Sequence, residues 1–149
     1  MFTKYVEEYE MGELWRSRGR TITETDIILF AGLSGDWHPL HTDQEFAKET
    51  MFQQRIAHGT LILSVATGLI QMDPNVVVAF YGIDHLRFTA PTFIGDTVHV
   101  EMEVTDVLSR EDGKGVLTVR QQVKKQSGET VIVGTIRVLL NSRKEGAPL

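Results

Sequence analysis

Apolar residues change rhythm about halfway along this 149-residue chain. Behind Thr23, the residues Ile27, Ile28, Phe30, Ala31 and Leu33 recur at helical spacing. Thr23 and Asp26 form a capping box, with Asp where Glu is more usual, and Thr42 with Glu45 makes a second one, which predicts a short helix through Phe46 and Ala47. From Leu61 to Ile70 the chain is apolar at nearly every position, broken only by Ser64, Thr67 and Gly68. A helix apolar on almost all faces is a buried one. With the residues leading into it, a dozen or so at ~1.5 Å each span roughly 18 Å, enough to cross a small sheet. Asp73-Pro74-Asn75 ends it.

From residue 76 the pattern changes to strands, with a period of two clearest in Thr97 to Val107. Val76 to Phe80 and Ile83 to Thr89 are β-rich, and Thr97 to Val107 sets Val98, Val100, Met102 and Val104 against His99, Glu101, Glu103 and Thr105. Val116 to Lys125 alternates less cleanly, and Thr130 to Leu140 is a further long strand. Gly95-Asp96, Asp112-Gly113 and Ser127-Gly128 supply turns between them. Leu14 to Ile22 predicts an edge strand, and the polar tail from Asn141 is expected to fray. Helices first, one of them fully apolar, and then long antiparallel strands describe a single α+β domain over residues 1–149. A sheet curled around the apolar helix satisfies both patterns. So small a sheet cannot cover that helix on all sides, which predicts a second subunit.

Composition narrows the classes. With 42% hydrophobic and 23% charged residues the chain reads as an ordinary globular domain. A net charge of −5, with no basic run interleaved with aromatics, argues against a nucleic-acid partner. The absence of cysteine removes disulfides, thiolate nucleophiles and thiolate metal sites. The N-terminus shows no apolar run of signal-peptide length and the longest apolar stretch is too short to cross a bilayer, so no membrane is expected and a cytoplasmic setting is.

The candidate chemistry lies in Leu33-Ser34-Gly35-Asp36-Trp37-His38-Pro39-Leu40-His41. Pro39 disfavours helix at the preceding residue, so the segment is expected to bend as a loop that can aim Asp36 and His41 at one point. A carboxylate and an imidazole that converge can hold a water molecule and move its protons. The competing reading is an Asp36 that closes its own turn and a His41 packed beneath it. Gly59, at the mouth of the apolar helix, offers an N–H without an intrahelical partner, suited to an oxyanion on a thioester or carbonyl; its alternative is close packing at a helix start. Asp36, His38 and His41 also form Asp-x-His-x-x-His, a metal-ligand spacing, although Pro39 keeps the two imidazoles off one helical face.

Phe30 to His41, followed by Phe46-Ala47 and Ile56-Ala57-His58-Gly59, resembles the signature of the MaoC-like (R)-specific enoyl-CoA hydratases and dehydratases. Leu86-Arg87-Phe88-Thr89-Ala90-Pro91-Thr92-Phe93-Ile94-Gly95-Asp96 resembles the second landmark of that family. The resemblance implies a hotdog fold, a sheet wrapped around a long helix and completed by dimerisation. It implies that Asp36 orients or deprotonates the water that adds to Cβ of an enoyl thioester. His41 would share that water and handle the proton delivered to Cα, and the Gly59 amide would stabilise the enolate. It places a hydroxyl near the carboxylate from the buried helix, Thr67 by position. His38, His58 and Thr67 are the substrate-contacting candidates, with the alternative for His58 that it packs into the core or orients the helix mouth. The chain departs from the family at His38, where Asn is frequent. The expected partner is an acyl-CoA thioester, with no cofactor and no metal. A thioesterase on the same fold and an acyl-CoA-binding module without chemistry remain as alternatives. Arg87, Arg120, Lys124, Arg137 and Lys144 are candidates for the CoA phosphates, each also explicable as part of a solvated face.

Overall fold

The β-rich stretches pair into one six-stranded antiparallel sheet. The structure is a computed structural model and describes residues 1–143. Its strands are β1 (Leu14–Arg16), β2 (Arg20–Thr21), β3 (Val77–Phe88), β4 (Thr97–Arg110), β5 (Lys114–Lys125) and β6 (Thr130–Asn141). They run in the order β1-β4-β5-β6-β3, with β2 also on β4, so β3 is an edge. The helices are α1 (Glu24–Ser34), α2 (Pro39–Thr42), α3 (Gln44–Lys48) and α4 (Gly59–Leu69). Lys144 and most of the polar tail lie outside the described residues, while Asn141 still belongs to β6.

Alternation explains which face of the sheet is covered. Val98, Val100, Met102 and Val104 are all buried, as the pattern of β4 requires. In β5, Leu117, Val119, Gln121, Val123 and Lys125 occupy the inward side; the alternation is regular and only looked broken because two of its inward residues are polar. Ile132, Ile136, Val138 and Leu140 of β6 complete the surface on which Leu61, Ile62, Val65, Ala66 and Leu69 of α4 pack. Burial of such aliphatic side chains contributes ~1.5–3 kcal/mol each relative to exposure.

Four local expectations are corrected. Leu14 to Ile22 is two short strands separated by residues 17–19, where Ser17 bonds to Val100 through both its N–H and its hydroxyl. The two β-rich stretches after residue 76 are one strand, kept continuous by register shifts at three places. Thr42 does not cap α3: the Asp43 carboxylate takes the free amides of Glu45 and Phe46, and the Thr42 hydroxyl bonds back to Trp37 and His38 carbonyls. Carboxylate and hydroxyl are both good caps, and the one standing directly before the helix wins. The Asp36-to-His41 segment is loop only as far as His38; Pro39 opens the single turn of α2, where its missing N–H costs nothing. The Thr23–Asp26 capping box is formed as expected. Among the described residues, nothing covers the face of α4 bearing Thr60, Ser64 and Thr67, beside the open edge of β3.

Candidate active site

Gly35 ends α1 in the left-handed region at φ 77°, a conformation that favours glycine, and its N–H reaches the Ala31 carbonyl at 2.9 Å. The chain then turns sharply through Asp36. One carboxylate oxygen of Asp36 accepts the His38 N–H at 3.2 Å, so the turn-closing role is real. It occupies one oxygen of two. His38 Nδ1 accepts the Leu40 N–H at 3.2 Å and so caps α2. Asn is a strong capping residue, and the imidazole here does the same work by the same geometry.

His41 sits on α2, half-buried, with Nδ1 at 2.7 Å from the Ile56 carbonyl oxygen. A carbonyl only accepts, so Nδ1 carries the hydrogen and Nε2 presents a bare lone pair. Burial pushes the His41 imidazolium below its ordinary value of 6.5; the Ile56 carbonyl opposes this, His58 adds to it, Asp36 opposes and His38 adds. The result is a neutral ring at pH 7 that can accept a proton.

The second half of the site comes from the helix mouth. His58 is the residue before α4 and is almost wholly buried; its side chain makes no cap bond to the first-turn amides. Those amides, Gly59 first, therefore keep their positive polarity unspent on protein acceptors of that kind. A Cβ on Gly59 would come within 2.7 Å of the Phe88 ring, so glycine is what lets Phe88 close against the mouth. The strand leading in is held from outside the motif: Ile56 bridges Phe93, and Ala57 N–H bonds to the Thr92 carbonyl at 2.8 Å. Buried Lys125 in turn donates to the Pro91 carbonyl at 3.1 Å and pairs with Glu129.

Asp36, His41, His58 and Gly59 meet at one cavity of about 510 Å³, whose remaining wall is largely apolar: Phe52, Ile62, Phe88, Pro91, Val131 and Ile132 contribute. One ligand-type atom each from Asp36, His41 and His58 lies within 4.8 Å of the others. This is a different trio from the Asp36, His38 and His41 set of the spacing. A metal ion must lie in the plane of each imidazole that binds it. The His41 and His58 rings are stacked at 3.9 Å with planes only 29° apart, and an ion held close to both would lie out of the plane of at least one of them. The arrangement suits proton handling better than an ion.

Thr67 is not brought into this cluster. Its hydroxyl donates to the Leu63 carbonyl at 3.1 Å, and it lines a separate groove with Met72, Phe80 and Val138. His38 is exposed, edge-on to His41 at 6.1 Å, and is not among the residues lining the cavity. Among the basic candidates, Arg120 pairs with Glu103, Lys124 with Glu101 and Arg137 with Asp84, while Arg87 bonds to the Leu86 carbonyl. Two contributors escaped sequence reasoning: the Ile56 carbonyl, which sets the His41 tautomer, and Lys125, which props the Pro91 loop. A main-chain oxygen has no sequence signal; a lysine on the inward side of a strand does.

The model of the MaoC like domain matches residues 9–130. The chain is 37% identical over 142 residues to an (R)-specific enoyl-CoA hydratase of Rhodospirillum rubrum, covering 93% of each. It is 43% identical over 103 residues to Protein MaoC of Klebsiella aerogenes, 68% of this chain but 30% of that longer protein. A protein of Mycobacterium tuberculosis described as having a double hotdog fold superposes on 98% of this chain with a TM-score of 0.83, at 21% identity, covering 46% of that protein. The architecture is thus a hotdog fold, α+β as the patterning required.

Proposed function

The chain belongs to the MaoC-like domain family, and from that premise we propose that it adds or removes water across the 2,3 double bond of an enoyl-CoA, or the matching (R)-3-hydroxyacyl-CoA, thioester. The observation that carries this reading is the cavity itself: a carboxylate, a neutral imidazole with a free Nε2 and an unfilled helix N-terminus border one apolar space.

In the hydration direction, the Asp36 carboxylate accepts one hydrogen of the water and orients it, and His41 Nε2 shares the same water. The water oxygen forms the bond to Cβ as the double-bond electrons move toward the thioester, whose oxygen becomes an enolate. The Gly59 N–H faces that developing charge, where a preorganised donor contributes most. His41 carries the proton taken from water to Cα, and the enolate collapses. One water is consumed, a C–O and a C–H bond form, and the C–S bond stays intact. Dehydration is the reverse.

The same reading expects a second copy of the chain. β3 is a 12-residue edge strand that exposes Val78, Phe80 and Tyr81, beside the uncovered Thr60–Ser64–Thr67 face of α4. An apolar edge of that length is a template for pairing.

The test follows the ultraviolet band of a short enoyl-CoA together with a thiol reagent. Loss of the band without thiol release supports hydration. Thiol release identifies a thioesterase instead, and neither change identifies a binding module.

A further inference from the structure

We infer that His58 is a positioning residue that ties the Asp36 turn to the face of His41, so that carboxylate, base and Gly59 amide keep one mutual arrangement. This rests on the reading of Asp36 and His41 as the water-handling pair. His58 Nε2 lies 3.0 Å from the Asp36 carbonyl oxygen; since a carbonyl only accepts, Nε2 carries the hydrogen and donates it. The ring lies against the His41 ring at 3.9 Å, with Phe30 at 5.0 Å on a further side. The peptide bond that follows is the one whose N–H belongs to Gly59. A single side chain therefore reaches the carboxylate's backbone, the base's ring and the oxyanion donor's own peptide.

The other nitrogen says why this is more than packing. With the hydrogen on Nε2, His58 Nδ1 is a bare acceptor, buried and without a partner among the described residues. An unpaired buried acceptor weakens a fold. In a pocket with an aromatic neighbour, phenylalanine would fill the space without that cost. Groups held against stability gather at functional sites. At 1% exposure the ring also offers a ligand almost no surface, which separates it from the substrate-contacting role first expected of it.

The experiment compares His58→Phe, which keeps an aromatic ring for the stack but loses the donor, with His58→Gln, whose amide nitrogen stands close to the Nε2 position. Enoyl-CoA hydration and thermal unfolding are measured on both, with Asp36→Asn alongside. His58→Phe is expected to lower kcat at least about tenfold, with KM within about twofold and Tm unchanged or raised; His58→Gln recovers part of kcat. Full activity in His58→Phe overturns the inference. So does a joint fall of kcat and Tm that His58→Gln does not relieve, which is the signature of a core residue. If His58→Phe does not fold, His58→Asn decides, because its amide stands near Nδ1 and cannot reach the Asp36 carbonyl. Equal activity in the Asn and Gln variants overturns the inference, and activity in Gln alone supports it. An Asp36→Asn protein with full activity overturns the underlying reading, and the inference with it. An inactive Asp36→Asn beside a fully active His58→Phe overturns the inference alone.

Discussion

The stretch from Gly35 to Gly59 and the three long strands β4, β5 and β6 use their side chains in opposite ways. In the strands, inward side chains meet one another and most are apolar: Val104, Val119 and Ile136 are within 1% of full burial, with Gln121 and Lys125 the polar exceptions in β5. Between Gly35 and Gly59, polar side chains are spent on the backbone: Asp36 on the His38 amide, His38 on that of Leu40, Asp43 on those of Glu45 and Phe46, and His41 on the Ile56 carbonyl. One region stores stability. The other stores geometry, and the difference teaches where a substitution should be felt as unfolding and where as lost chemistry.

The comparison breaks most visibly at the dyad. Asp36→Asn and His41→Ala are each expected to lower kcat for enoyl-CoA hydration by about 10²–10⁴, the usual reach of positioned acid–base groups. Asp36 is exposed, so its amide variant should unfold within about 0.5 kcal/mol of the parent. Steady-state rates and urea titration on the same preparations check both halves. Near-normal turnover in either variant removes the dyad, and a large loss of stability in Asp36→Asn removes the division of labour.

The opposite result belongs to the sheet. Leu117 is fully buried in the first third of β5, paired with Val107 on one side and Val138 on the other. Leu117→Ala should cost about 2–5 kcal/mol through lost burial and a residual cavity. In the fraction that remains folded, kcat should stay within about twofold, since the residue is no part of the cavity wall. Denaturant midpoints and active-site-normalised rates decide it. A kcat that fell with stability would mean that the strand also tunes the site.

How much of this was legible follows the same division. Period-2 alternation revealed β4 because burial on one face is a property of side chains, and side chains are what a sequence states. It also revealed α4, whose apolar run leaves little choice. The boundary at Thr42 and Asp43 was misplaced because two adjacent residues are both competent caps and only the backbone decides between them. The continuity of β3 was hidden by bulges, at one of which His85 adopts φ 54°, a conformation that no pattern of apolar residues encodes. At the candidate site, Asp36 and His41 stood out by type and spacing, with turn closure as the alternative, Gly59 by its place at the helix mouth, and the family resemblance supplied their roles. Thr67 was placed by resemblance and faces another groove, and the carbonyl that fixes the His41 tautomer had no letter to be read.

Acid gives the mildest contrast, and it sets the two regions in different pH windows. His41 is held below 6.5 chiefly by burial. A histidine whose folded pKa is lowered contributes stability that is full above the unfolded value and lost as pH falls through the lowered one. Its Nε2 also stops accepting protons there, so the acid limb of kcat/KM should have its midpoint below 6.5. On the sheet, Glu101 is held below 4.5, first by the Lys124 ammonium at 2.6 Å and then by the His99 ring. Its contribution is present above 4.5 and disappears only as pH falls through that lower value. The Glu101 pair is intact above 4.5, so activity lost between 6.5 and 4.5 should be lost while the sheet stays folded. Rates and near-ultraviolet circular dichroism from pH 7.5 to 3 follow both. An acid limb above 6.5 means that His41 is stabilised as the cation, contrary to its burial. Unfolding that keeps pace with the loss of rate means that the proton-handling loop and the sheet are one cooperative unit.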